Sequence, residues 1–241
     1  MKAWINPLEL DGILAVDKPR GVASHDVVSR VRRLFRIDKA GHGGTLDTNA
    51  TGLLLILLGK ATKFFDTLLA KDKAYTCTMR LGCETNTQDD EGEVVAEKPF
   101  DYVTRGDLER VLSEFRGDIF QTPPPVNAVT LDGVTRFIRQ EGERKQRFVH
   151  VFRLLVTGWE PPQATFDILC TKGAYLRTIA HDAGQMLGCG ACLTGLRRTA
   201  SGRFRVEDAL PYADLDTLTP AQLVERTIPM PTAAALLKET F

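Results

Sequence analysis

The chain lacks several features that define whole classes of protein. Its longest apolar run is Leu53–Leu58, and six residues cannot cross a bilayer, which takes about 20. The N-terminus, Met1-Lys2-Ala3-Trp4-Ile5-Asn6-Pro7, has no apolar stretch of the kind a secretory signal needs. The five cysteines form an odd set without the look of a disulfide framework, which predicts a reducing, cytoplasmic setting. No internal repeat or low-complexity tract interrupts the 241 residues. A membrane helix, a disulfide scaffold and a repeat array are thereby set aside.

Cofactor and metal motifs are missing as well. Gly52–Lys60 ends in Gly-Lys like a phosphate-binding loop, but six apolar residues separate its glycines and Ala61 stands where Ser or Thr belongs. Gly188-Cys189-Gly190 has no third glycine at dinucleotide-binding spacing. Cys189-x-x-Cys192 is a lone pair and reads as two thiols rather than zinc ligands. A zinc nucleobase deaminase needs His-x-Glu followed by Pro-Cys-x-x-Cys, and neither is present. No Ser–His–Asp set suggests itself.

What is present is ordinary globular material, 43% hydrophobic and 26% charged. The length suits one large domain, or one domain with a small appendage. Net charge is zero but unevenly spread. Residues 1–75 carry 12 Lys and Arg against 8 Asp and Glu, and residues 134–205 carry 12 against 5. Residues 76–133 carry 5 against 12, and residues 206–241 carry 2 against 6. Two basic blocks between acidic ones can fold into a phosphate-binding groove with an acidic back. Solvated faces that happen to cluster explain the same numbers, so charge alone leaves both readings open.

Local patterns predict an α+β domain around a mixed or antiparallel sheet. Gly12–Asp17 reads as a strand stopped by Lys18-Pro19. Ser24 reads as the N-cap of a helix whose apolar positions are Val27, Val28, Val31, Leu34 and Phe35. Residues 37–51 read as a Gly- and Thr-rich loop, Leu53–Leu58 as a buried strand and residues 60–69 as a short helix. Ala74–Leu81 alternates like a strand, Glu84–Glu93 is an acidic turn region, and Val94-Val95 resumes a strand. Thr104 with Asp107 opens a helix to about Phe115. Pro123-Pro124-Pro125 is a stiff extended stretch. Arg147–Val156 and Ala164–Cys170 read as strands joined by a hairpin-like Trp159–Gln163. Tyr175–Leu187 reads as a helix, Leu193–Leu196 as a short strand, and the tail from Val206 as short helices and turns.

Three stretches carry candidate chemistry. The loop Ala40–Gly52 sets His42 and Asp47 among glycines that let backbone approach a ligand closely. Read alone, it fits a turn in which Asp47 and Thr48 bond locally at least as well as a site. Thr171–Thr178 puts Tyr175 and Arg177 at a strand-to-helix junction, where a surface Arg is also unremarkable. Lys73-Ala74-Tyr75 places a tyrosine on a strand, where a core Tyr is common.

In this order and at these distances the stretches resemble one family. Gly41–Asp47 resembles the Gly-His-x-Gly-Thr-Leu-Asp signature of the TruB-type tRNA pseudouridine-55 synthases. Ile13–Val22 resembles the family's Lys-Pro motif, and Lys73–Tyr75 its catalytic-tyrosine strand. Gly173–Thr178 resembles its Arg motif, and Leu196–Thr199 with Ser201-Gly202 its Leu-Arg-Arg segment. The likeness runs from about residue 12 to about 205. The family usually has Thr where this chain has Gly43, and Pro where it has Thr48.

The resemblance implies a pseudouridine synthase fold, with a central sheet flanked by helices. It implies isomerisation of uridine 55 in the T-loop of tRNA after the base is flipped out. Asp47 is then the catalytic carboxylate, Arg177 its partner, and Tyr75 the residue that stacks on the base or moves a proton. His42 fills the space the base leaves, and Tyr175 and Leu196 line the pocket. Lys18 and the Arg-rich helix 24–36 support the loop or touch phosphate. The expected partner is the T-arm stem-loop. No cofactor, metal, membrane or protein partner is expected, and the chain is expected to be a monomer. Residues 1–205 are expected to form the catalytic domain. Residues 206–241 form a short appendage, smaller than the family's RNA-binding PUA domain. Two other readings stay open: an RNA-binding or RNA-folding module without catalysis, and a synthase for a uridine in another RNA.

Overall fold

The computed structural model describes residues 10–124, 126–131, 134–139 and 144–239, with backbone alone for 126–131 and 134–139. The readings made on residues 1–7 and on Pro125 lie outside the described residues. The first elements are β1 (Gly12–Lys18), α1 (Ser24–Phe35), β2 (Ala40–His42), β3 (Thr51–Leu58) and α2 (Phe65–Ala70). There follow β4 (Lys73–Leu81), β5 (Cys83–Thr85), β6 (Val94–Glu97), α3 (Arg105–Ser113), β7 (Gly117–Gln121), β8 (Val126–Leu131) and β9 (Val134–Arg139). Next come β10 (Arg147–Glu160), β11 (Gln163–Cys170), α4 (Leu176–Leu187) and β12 (Ala191–Ser201). The tail holds β13 (Phe204–Arg205), β14 (Leu210–Pro211), α5 (Pro220–Arg226), β15 (Ile228–Pro229) and α6 (Met230–Leu236). The chain divides into two compact units: Met1–Lys73 with Arg197–Phe241, and Ala74–Leu196.

The first unit is built on the antiparallel pair β1–β3, in register from Gly12↔Leu58 to Lys18↔Gly52. β14 adds to β1 in parallel and β15 adds antiparallel. On β3, residues 51 and 52 pair in parallel with Arg197 and Arg198, while β2 pairs antiparallel with residues 56–58. Ile13, Leu53, Leu55 and Leu57 form its apolar core with Leu68, Phe204, Ala233 and Leu237. The tail therefore packs into the same core as residues 10–73. Gly52 has φ +99, and a Cβ there would lie 2.3 Å from the Arg198 carbonyl oxygen, so only glycine allows this close strand approach.

In the second unit β4, β11, β10 and β7 are neighbours in that order. Their buried face, including Cys77, Met79, Val151, Phe166 and Ile168, packs on Leu108, Val111 and Leu112 of α3 and on Leu176, Ile179 and Ala183 of α4. Thr104 and Asp107 form a reciprocal capping box at the start of α3, as the sequence predicts.

The α+β expectation holds, with parallel and antiparallel pairing both present. Four local expectations need correction. Ser24 is the first helical residue rather than a side-chain cap; Ala23 is the N-cap and no side chain bonds there. Residues 40–42 are not loop but a short strand. β10 runs on to Glu160 because the turn is only Pro161-Pro162, with Glu160 and Gln163 paired. β12 is longer than Leu193–Leu196 because Arg197 and Arg198, which break the apolar pattern, find polar partners within the sheet.

Candidate active site

In the first unit the loop between β2 and β3 holds Asp47. Its backbone is tied on both sides. Arg198, buried on β12, donates to the carbonyls of Gly44 (3.1 Å) and Thr45 (3.3 Å), and its Nε to that of Leu53 (2.8 Å). Ser24 Oγ donates to the Leu46 carbonyl at 2.8 Å and accepts from the Leu46 N–H at 2.9 Å. The Ala50 N–H donates to the Asp47 carbonyl at 3.1 Å. Lys18 Nζ and the Gly21 N–H both donate to the Thr48 carbonyl, at 3.1 and 2.8 Å. Five consecutive carbonyls, 44 to 48, thus have named donors, which fixes the path of the loop through Asp47.

Lys18 is fully buried and also donates to Pro19 and Val22 carbonyls, at 3.0 and 2.7 Å. Of the two roles expected for it, its placement supports the loop; a buried ammonium has no surface for a phosphate. Burial brings its pKa down to about 8, against the opposing pull of the Asp47 carboxylate; Arg198 lowers it further. Asp47 therefore lies within electrostatic reach of the buried Lys18 ammonium. His42 ends β2, with its Nδ1 buried and unpartnered among the described residues. Burial, then Arg198 and His25, lower its pKa and favour the neutral imidazole.

The second unit holds Tyr75, Tyr175, Arg177 and Leu196. Tyr75 on β4 and Leu196 on β12 are half-buried against the core. Arg177, in the first turn of α4 and only 8% exposed, donates from Nη1 to Asp89 Oδ2 at 3.0 Å. The other Asp89 oxygen accepts from the Thr87 hydroxyl and the Glu91 N–H. Next to it, Gln88 accepts from the Thr178 hydroxyl at 3.0 Å. Tyr175 is held through its backbone: its N–H donates to Gln121 Oε1 at 3.0 Å and its carbonyl accepts from Gln121 Nε2 at 3.2 Å. The Arg147 guanidinium lies over the Tyr175 ring, 5.5 Å from its centroid.

A model of the TruB family pseudouridylate synthase N-terminal domain matches residues 32–176, and one of the tRNA pseudouridylate synthase B C-terminal domain matches residues 177–234. The chain belongs to the TruB family. Among its TruB relatives is a tRNA pseudouridine synthase B from Opitutus terrae, 45% identical over 230 residues, 94% of this chain and 95% of the relative. Another, from Pseudomonas aeruginosa, is 45% identical over 86% of this chain and 69% of the relative. A solved Cbf5–Nop10–Gar1 complex contains a chain that superposes with a TM-score of 0.75 at 29% identity, covering 93% of this chain and 62% of that one. An H/ACA RNP bound to a substrate RNA containing 2′-deoxyuridine gives 0.71 at 28%, covering 93% and 61%. This TruB chain thus spans about three-fifths of those solved chains.

The structure accounts for one departure from the usual TruB loop. A Cβ at Gly43 would lie 2.6 Å from Leu68 Cδ1, so the α2 leucine occupies the space a side chain at 43 would take. Sequence reading missed Ser24 as a loop clamp, Arg198 as a carbonyl donor, Asp89 as the Arg177 partner and Gln121 as the Tyr175 clamp. No local signal marks them, since each pairing joins residues at least 22 apart. All five cysteines of this TruB chain are buried free thiols, and burial, then Cys83, pushes Cys192 up to about 12. Among the described residues no His, Cys, Asp and Glu cluster could hold a metal ion, and no helix is long and apolar enough to cross a membrane.

Proposed function

We propose that this chain isomerises uridine to pseudouridine in tRNA, at position 55 of the T-loop, with Asp47 as the catalytic carboxylate. The observation that carries the reading is the fixed loop: buried Arg198, Ser24 and Lys18 hold the backbone on both sides of Asp47. A carboxylate aimed in advance does not need to reorganise at the moment of reaction.

The reaction breaks the bond from C1′ of the ribose to N1 of the base, turns the base, and joins C1′ to C5. C5 loses its proton and N1 gains one, so the change is an isomerisation. A carboxylate suits either attack at an electrophilic carbon or stabilisation of an electron-poor sugar. Arg177, oriented by Asp89, pairs with Asp47 in this reading and keeps it ionised. Tyr75 stacks on the flipped base and serves a proton transfer. His42 takes the place the base leaves, and Tyr175 and Leu196 line the pocket. All these residues precede position 205, so 206–241 acts as an appendage to the chemistry. The monomeric chain works in the cytoplasm on the T-arm stem-loop and uses no cofactor.

The test is to incubate the protein with an unmodified tRNA transcript and map pseudouridine along it. Product at position 55, from the transcript and from a minimal T-arm hairpin alike, is expected. A silent tRNA with a modified ribosomal RNA fragment would move the substrate to another RNA. Tight RNA binding with no product on either would leave a binding module.

A further inference from the structure

Asp17 on β1 and Arg197 on β12 form a two-pronged ion pair: Arg197 Nη1 donates to Asp17 Oδ1 at 2.9 Å and Nη2 to Oδ2 at 2.7 Å. The two strands are not neighbours. β3 lies between them, with Leu53 opposite Asp17 and Thr51 opposite Arg197, so the pair reaches across a whole strand. Each partner stands beside a buried cation that holds the Asp47 loop. Lys18 follows Asp17 and donates to the Thr48 carbonyl; Arg198 follows Arg197 and donates to the carbonyls of Gly44 and Thr45. Alternation along the strands puts the ion pair on one face of the sheet and both clamps on the other. The plain explanation is a surface ion pair of little consequence, since both side chains keep partial exposure. That explanation does not account for the span. Among the described residues β12 pairs with β3 through Arg197 and Arg198 alone, so few main-chain bonds set the distance from β12 to β1.

We propose that the Asp17–Arg197 pair is a positioning device for Asp47; the inference rests on the reading above that Asp47 carries the chemistry. The loop from Gly44 to Thr48 is held at one end from β12 and at the other from β1. Its path, and the aim of the carboxylate within it, depend on how far apart those two strands stand. A bidentate guanidinium–carboxylate pair fixes both distance and orientation, which one hydrogen bond does not. Gly52, opposite Arg198, lets β12 come close enough to β3 for the fork to reach the far strand. Neither Asp17 nor Arg197 touches the substrate in this reading. They act through Lys18 and Arg198.

The test is pseudouridine formation from an unmodified tRNA transcript, read as kcat and KM at a temperature where every variant is folded. Asp17→Asn and Arg197→Gln should each lower kcat by about 5- to 20-fold and leave KM within about twofold of wild type, because the loop is misaimed while the RNA surface is kept. The double variant Asp17→Asn/Arg197→Gln should be no slower than the worse single, since one interaction is lost only once. The exchanged pair Asp17→Arg/Arg197→Asp should recover most of the rate. Arg105→Gln, which breaks an exposed ion pair on α3, is the control and should leave kcat unchanged. Lower melting temperatures with unchanged kcat in the neutral variants overturn the proposal, because the pair then only supports the fold. So does a raised KM in Arg197→Gln with no effect in Asp17→Asn, which makes Arg197 an RNA contact. Both results leave the reading of Asp47 intact. A wild-type chain that forms no pseudouridine, or an active Asp47→Asn, overturns both. If the exchanged pair does not fold, Arg197→Lys decides: it restores one prong and should run faster than Arg197→Gln, and equal rates overturn the proposal.

Discussion

Ser24 Oγ holds both backbone polar groups of Leu46, donating to its carbonyl at 2.8 Å and accepting from its N–H at 2.9 Å. One buried hydroxyl thus sets the residue immediately before Asp47. Ser24→Ala leaves two buried groups unpaired, at a cost of about 1–3 kcal/mol. Because the freed loop misplaces the carboxylate, single-turnover pseudouridine formation should slow by about 10- to 100-fold while tRNA affinity changes little. Ser24→Thr keeps a hydroxyl and should recover much of the rate. An alanine variant with the wild-type rate would show that the clamp only supports the fold.

Asp47→Asn should abolish pseudouridine formation while tRNA binding survives. The amide keeps the shape of the side chain and removes the charge that the proposed chemistry uses. Product analysis after long incubation checks this, and turnover above a few per cent of wild type would assign the chemistry elsewhere.

Arg177→Lys should be severely impaired although the charge is kept. Arg177 is buried against Asp89, and an ammonium cannot reproduce the planar fork that can address two carboxylates at once. Asp89→Ala strands a buried cation and should lower stability by up to about 3–5 kcal/mol. A melting curve and a rate on each variant separate the two effects: loss of rate in a well-folded Arg177→Lys is the expected result.

Lys18 should make stability rise with pH between about 8 and 10.5. Its folded pKa lies below its ordinary value, so the unfolded chain binds more protons throughout that window, and deprotonation favours the folded state. Below pH 8 both states are protonated and the contribution is flat. Measured as wild type minus Lys18→Gln, unfolding free energy should show this slope. A difference that is flat or falls across the window contradicts the burial argument.

Gly43→Thr, a change toward the residue usual in this family, should destabilise this chain by about 1–3 kcal/mol, because the new Cβ meets Leu68. Combining it with Leu68→Ala should cost less than the sum of the two single changes. Chemical denaturation of the four members of the cycle checks the coupling, and strict additivity would remove Leu68 as the reason for glycine at 43.

By itself the sequence determined the elements whose cause is local. The alternation of Ala74–Leu81, the apolar run Leu53–Leu58 and the Thr104–Asp107 cap each produce the element they predict. It also determined the family, because short motifs in a fixed order survive without any knowledge of the folded chain. It missed the strand at residues 40–42, which exists only because β3 offers an edge, and it cut β12 short at the charged pair Arg197-Arg198. Only the tertiary structure decided what the buried polar side chains do. Ser24 looked like a helix cap, and Arg198 stood only as part of a Leu-Arg-Arg segment with no role of its own. Their partners are backbone carbonyls far away in sequence, where no periodicity or spacing can record them. The physical reason is burial: a polar group out of water must find a partner, and folding decides which one lies within about 3 Å.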